Sequence, residues 1–373
     1  MAKAVYVGVG SKARKMKKAY IGIGGKARKV KKMYIGVGGK ARLCYSAELE
    51  RYGMAAALST ARYDMRAATV GKYALFAGGY ISKSSFGYSV SSSVDAYNTS
   101  LTKSTPTELS CKRCGHAAAS VGGYALFAGG ASSYNFLGYG NILSSVDAYD
   151  ASLTRSAAHI IGATAAIGGA AVGNYALFAG GTVYSQINED NVTSDVLAYD
   201  PSLTFTTAPW LSVARANVKG ASAGNYALFA GGRADGFCTT VDAYNASLTR
   251  TTATALSSTK NNSAAATVGN HAIFVGNTAS ADIYDASLTK TSAAILSTAR
   301  TGLAATTVGD YAIFSGGGVA DFCDASLTRS SIGTSMTGYD MGAATIGDYA
   351  LFAGGYSDEK SVTIYDSVEV YTA

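Results

Sequence analysis

Along most of this chain, apolar and small residues come in runs of five that alternate between two faces and end in glycine. The run YALFAGG stands at 73–79, 124–130, 175–181 and 226–232, each copy 51 residues after the last. Looser copies follow as HAIFVGN (271–277), YAIFSGG (311–317) and YALFAGG (349–355), at intervals shortening to 45, 40 and 38. A period of this size marks a solenoid or a propeller and governs how each local motif is read. In the first copy, alternation puts Tyr73, Leu75 and Ala77 on one face of a strand and Ala74 with Phe76 on the other. Both faces are apolar, which predicts a strand covered on both sides, as between stacked sheets.

Around that strand, MRAATV (65–70) predicts a small-residue partner and GK (71–72) the two-residue turn between them. VDAYN (94–98) predicts a third strand, and LTKSTPTEL (101–109) a more polar fourth, as suits an outer edge. The third strand recurs as VDAYD (146–150), VLAYD (196–200), VDAYN (241–245), ADIYD (281–285), ADFCD (320–324) and VEVYT (368–372). Seven second strands and seven third strands predict seven four-stranded antiparallel blades, which bury both faces only when stacked radially. The seventh has no fourth strand of its own. LERYGMAAALS (49–59) stands one period upstream of SLTKSTPTELS (100–110), so it is expected to pair into that blade and close the ring. The expected fold is an all-β, seven-bladed propeller over 47–373, preceded by a small basic β-repeat segment over 1–46.

The double glycine ending the second strand, VDAY in the third, and RCGHAAA (113–119) before the next YALFAGG together resemble the kelch repeat. The likeness covers about residues 50–373. It departs in lacking the fourth-strand tryptophan, since the sole tryptophan, Trp210, falls elsewhere, and in closing one strand with Gly276–Asn277. The glycine pair is expected to turn the chain sharply in little space, with positive φ. The resemblance implies a ligand face made of second-to-third-strand and fourth-to-first-strand loops. In this chain the second-to-third loops are long at 80–93, 131–145, 182–195 and 356–367 and short in the other units, so the long ones are neighbours. They are rich in Tyr, Ser, Gly and Asn, the composition of recognition loops, with Tyr80, Phe86, Tyr88, Tyr134, Phe136, Tyr139 and Tyr184 as aromatic anchors. Arg62, Arg113, Arg215 and Arg300 match the kelch arginine, which implies either a reach to the same face or a structural role.

Composition separates two pieces. Residues 1–47 hold thirteen Lys or Arg and no acid, whereas the remainder holds eighteen basic and twenty-four acidic side chains. The head repeats on a period of 14: AVYVGVGSKARKMKK, AYIGIGGKARKVKK, MYIGVGGKARLCYS, with Tyr6, Tyr20 and Tyr34 in register and Lys12, Lys26 and Lys40 in the turns. GIGGKA (22–27) has the look of a phosphate loop, but Ala27 follows Lys26 where a metal-binding hydroxyl is required. Short strands joined by Gly-Lys turns are expected, too small to bury a core alone. They are therefore expected to oligomerise or to dock on an acidic partner; nucleic acid is a further partner class through 1–43, since cations release counterions from phosphates. Repeats of the type YIGVGGKARKVKK resemble segments at the front of tail-associated proteins of phages and prophages of Gram-positive gut bacteria. With the propeller, that implies a virion structural protein: an attachment head, joined to other tail proteins or sister chains, then a receptor-binding tip for a bacterial surface receptor or glycan. It would be made in the host cytoplasm without a signal peptide.

Catalytic chemistry is sparse. The histidines are His116, His159 and His271, of which the first and last fall in repeat strands as core residues. No set of copper ligands converges and no sialidase-type aspartate box occurs. CKRC (111–114) has redox spacing but precedes a strand, and five unevenly spaced cysteines suggest reduced thiols. Asp95, Asp147 and Asp242 recur once per unit, as a repeated structural contact would. A non-enzyme without cofactor or metal is expected. Two alternatives are an intracellular kelch-type protein-interaction module and a carbohydrate-active propeller enzyme; the latter needs a non-repeated acid, base or nucleophile. No membrane span is expected, the uncharged stretch 156–188 being broken by glycines and turns.

Overall fold

The computed structural model describes residues 6–9, 12–15, 19–23, 26–30, 32–37, 40–46, 49–84, 87–135, 138–158, 162, 164–184, 191–259, 264–357 and 362–373. The fold is all-β and propeller-like, built of small four-stranded antiparallel sheets. No helix among the described residues is long and apolar enough to cross a membrane.

The first sheet runs Arg66–Val70, Tyr73–Ala77, Val94–Asn98, Lys103–Ser104. The second repeats that order with Ala117–Val121, Tyr124–Ala128, Val146–Asp150 and Arg155–Ala157. The units whose first strands are Gly168–Val172, Lys219–Ala223, Ala264–Val268 and Ala304–Val308 follow the same plan. The last combines Gly342–Ile346, Tyr349–Ala353 and Val368–Thr372 with Glu50–Ala55, which pairs along its outer edge with Val368 opposite Ala55 and Thr372 opposite Glu50.

The hydrophobic cores lie between sheets rather than within them. Leu75 and Ala77 pack with Ala125, Phe127 and Tyr149 of the second unit, while Ala74 and Phe76 pack with Leu351, Val368 and Val370 of the last. The alternation read from YALFA is thus a division between two neighbours, and Leu75 and Phe76 are both fully buried. Each buried Leu or Phe contributes about 1.5–3 kcal/mol by leaving water. Small residues of all the first strands line one cavity of about 450 Å3, where Ser120 Oγ donates to Thr69 O (2.7 Å) and Ser222 Oγ to Ala171 O (2.8 Å) of adjoining sheets.

The glycine pairs have the expected positive φ, +66° at Gly78 and +94° at Gly79. Space forbids a side chain there as well: a Cβ on Gly78 would stand 2.6 Å from Arg113 O, and one on Gly79 2.4 Å from Tyr63 O. The turns after the third strands use another device. Asp150 accepts from the backbone N of Ser152 and Thr154, which holds Leu153 at φ +65°, and the same geometry recurs at Asn98, Asp200, Asn245, Asp285 and Asp324. In the basic head, each 14-residue repeat is a two-stranded hairpin: Tyr6–Val9 with Lys12–Lys15, Tyr20–Ile23 with Lys26–Lys29, and Lys32–Val37 with Lys40–Ser46.

Candidate functional site

The recurring Ser-x-x-Arg before a first strand and the recurring acid of the third strand form one buried constellation. Ser110 N and Oγ and the Arg113 guanidinium all donate to Asp147, the guanidinium from 2.7 Å; Arg155 of the fourth strand approaches the other carboxylate oxygen at 2.9 Å. Ser59, Arg62 and Lys103 surround Asp95 in the same way, and Ser212, Arg215 and Arg250 surround Asp242. In the last unit Arg51, from the N-proximal strand, reaches Glu369, joined there by Ser335. Arg62, Arg113 and Arg215 are fully buried, with carbonyls such as Phe76 O, Gly129 O and Gly231 O taking further guanidinium protons; Arg300 is equally committed to Asp321, Gly316 O and Val319 O. These four arginines therefore do not present themselves at a ligand face: burial and in-unit carboxylates assign them a structural role.

The unit beginning at Gly168 departs from this plan. Thr164 stands where arginine is expected and Leu197 where the acid is expected, so both partners are lost together. A small cavity of about 30 Å3 remains beside Thr164, Leu197 and Phe178.

On the face where second strands end, the structure corrects the reading of two long loops. Tyr80–Ser84 and Gly87–Val90 form a hairpin, Ala131–Asn135 and Gly138–Ile142 form another, and Tyr88 opposite Tyr134 joins them into an additional four-stranded sheet. Gly87 has φ +147°, and a Cβ there would stand 3.0 Å from Tyr134 O of the neighbouring hairpin. The tyrosines pack on one another: ring centroids are 5.2 Å apart for Tyr80–Tyr88, 5.1 Å for Tyr88–Tyr134 and 5.0 Å for Tyr134–Tyr139, and the chain continues through Tyr63 to Tyr356. Tyr80 is buried and the other three are half-buried around Cys114 and Ala131, so they build the wall as much as they face out. Tyr184 is 61% exposed. Phe86 and Phe136 lie outside the described residues, as does His159.

Sequence reasoning missed a charged cluster beside that wall. Asp64, Gly115, Ala166, Asn217, Gly302 and Asp340 occupy equivalent positions, all with φ between +51° and +64°. Their backbones are stitched from unit to unit: Asp64 N to Asp340 O (2.7 Å), Asp340 N to Gly302 O (2.7 Å), Ala166 N to Gly115 O (2.6 Å), Asn217 N to Ala166 O (2.7 Å). Two residues further on, Arg66 and Lys219 replace the Ala or Gly of the other described units and line a cavity of about 250 Å3. Arg66 pairs with Asp64 at 2.6 Å and donates to His116 O. Burial, then the Arg66 charge, draws Lys219 below the usual lysine range. Burial and the nearby Asp64 raise Asp340 to about 6. Tyr139 leans over Gly115, two residues before Ala117 of the cavity lining; a Cβ on Gly115 would stand 2.7 Å from its ring. Comparing equivalent columns of the repeats, rather than searching for motifs, is the signal that would have found these four charges.

Elsewhere the chemistry is quiet. His116 is buried beside Phe127, and burial followed by the charges of Arg113 and Arg66 pushes its pKa well down, so it is a neutral core residue. Cys111 is exposed and Cys114 buried, both free; burial pushes the Cys114 thiol up to about 12, the reverse of a redox-active thiolate. Among the described residues no group of His, Cys, Asp and Glu is arranged to hold a metal. In the head, Tyr6 faces Lys15 and Tyr20 faces Lys29 across their hairpins, Tyr34 faces Leu43, and Lys12, Lys26 and Lys40 each open a second arm. The side chains of these six residues lie outside what the structure describes. No family model matches the chain, and no curated protein is significantly similar to it.

Proposed function

We propose that this chain is a receptor-binding protein of a phage tail, in which a seven-bladed, kelch-like propeller over 47–373 reads a bacterial surface receptor or glycan. The blade count rests on the repeated sheet order, and ring closure on Glu50–Ala55 pairing beside Val368–Thr372 and on the shared core between the first and last units. The observation that carries a binding role is the sheet joined through Tyr88 and Tyr134. It lies outside the repeat, completes no blade, and concentrates tyrosines on the face where the second strands end. Rigid rings among Ser, Gly and Asn suit recognition of a varied polar surface. The three basic hairpins serve as the attachment head, docking on an acidic tail partner or on sister chains; their likeness to phage tail segments supports placement in the virion.

Two experiments test this reading. The labelled full-length chain is expected to bind whole Gram-positive cells saturably, and the Tyr88→Ala/Tyr134→Ala variant to lose that binding while remaining folded. Unchanged binding would remove this face from consideration. Particles carrying the chain without residues 1–46 are expected to lack it; normal incorporation overturns the anchor.

A further inference from the structure

Four charges interrupt a repeat that elsewhere places Gly, Ala or Asn at the same points. Arg66 and Lys219 come from two different first strands yet line one cavity. Asp64 and Asp340 belong to neighbouring units and are linked through their backbones. Neither a hydrogen bond nor an ion pair holds Lys219 Nζ or the Asp340 carboxyl among the described residues, although each senses the other and Asp64. Among the described residues, then, two oppositely charged groups stand partly desolvated without a direct partner, a cost to the fold that a ligand satisfying both would offset.

We infer that this mouth binds an acidic sugar, its carboxylate set between Lys219 and Arg66 and its hydroxyls donating to Asp340 and Asp64. A bare anion held by Lys219 and Arg66 would also feel Asp64 and Asp340, the carboxylates that act on both cations, and be repelled, so the ligand must bring donors beside its negative charge. The volume, about 250 Å3, lies below the range typical of drug-sized ligands and suits a single ring. Tyr139, against Gly115 and within the field of Asp64 and Arg66, is the nearest aromatic side chain on which a sugar's apolar side could rest. The choice of a sugar rests on the surface-reading role proposed above; the charge pattern stands without it.

The repeat supplies the controls. Lys219→Ala installs the residue found at Ala117, Ala264 and Ala304, and Asp340→Asn the residue found at Asn217, so both variants keep side chains that this backbone already accommodates. Titration of the full chain with D-glucuronate, D-galacturonate and N-acetylneuraminate, followed by calorimetry and ligand-observed NMR, is expected to show saturable binding of at least one. D-Glucose and inorganic phosphate are expected to bind negligibly. Lys219→Ala is expected to weaken the acidic sugar about tenfold or more, since it removes a hydrogen bond to a charged group, and Asp340→Asn, which keeps an acceptor oxygen but loses the charge behind it, to weaken it less. Absence of binding by all three acids, equal binding of phosphate, or an unchanged affinity in Lys219→Ala overturns the inference. Cell binding lost in Tyr88→Ala/Tyr134→Ala but kept in Lys219→Ala, with no acid bound, sinks the mouth and spares the receptor-binding reading. Acid binding at the mouth of a chain that binds no cell does the reverse.

Discussion

Asp147 sits between a buried and a half-exposed cation, and removing it strands the first. Asp147→Leu is expected to cost about 3–5 kcal/mol, because Arg113 keeps its charge in a dry site with only carbonyls and hydroxyls for company. The double variant Arg113→Thr/Asp147→Leu, copying Thr164 and Leu197, should cost less than the single one; urea titrations of the three proteins check the order. Asp340 gives a pH signature. Its folded pKa, about 6, exceeds the ordinary carboxylate value, because burial and Asp64 disfavour the ion more than Lys219 and Arg66 help it. Folding therefore takes up a proton, and this contribution is complete at low pH and lost as pH rises through about 6. Asp340→Asn is expected to raise Tm at pH 7 to 8 and to make no gain near pH 4. A variant equally stabilised at both pH values would contradict it.

The strands were legible because the two apolar faces of YALFA and the small residues of AAATV repeat, and repetition averages out local ambiguity. The additional sheet was not. YISKS and GYSV read as loop because Ser and Gly dilute the alternation, and what fixes them is a pairing between different units, Tyr88 with Tyr134, that no local pattern encodes. The arginines were legible as a recurring element but not as buried ones, since only the fold brings Arg113 and Asp147, 34 residues apart, to 2.7 Å. The charged mouth was hidden for the opposite reason: Arg66 and Lys219 each look like one polar residue at a strand start, and their meaning comes from a shared cavity. If the additional sheet is an appendage and no part of the repeat, replacing residues 81–89 and 132–141 with short Gly-Ser links should leave a single cooperative melt. Loss of cooperativity in calorimetry would show that the repeat depends on it.

For the molecule as a whole, the pairing of Glu50–Ala55 with Val368–Thr372 covers an edge that would otherwise be open to other chains. Deleting residues 1–47 should therefore leave a stable monomer, whereas deleting 1–56 should lower Tm and promote association. Light scattering on the two proteins separates these outcomes, and equal behaviour would mean that the edge is not held by this strand.

The backbone bonds that tie Asp64 to Asp340, Asp340 to Gly302, and Asn217 through Ala166 to Gly115 act as a collar. Moving any of these bonded units apart would break one such bond, and every one of the named residues already sits in the narrow left-handed well. Slow hydrogen exchange is accordingly expected at the amides of Asp64, Ala166, Asn217 and Asp340. Along these two arcs the rim is braced against spreading, so the size limit on any occupant of the proposed mouth would be set by the backbone and not by side chains that can swing aside.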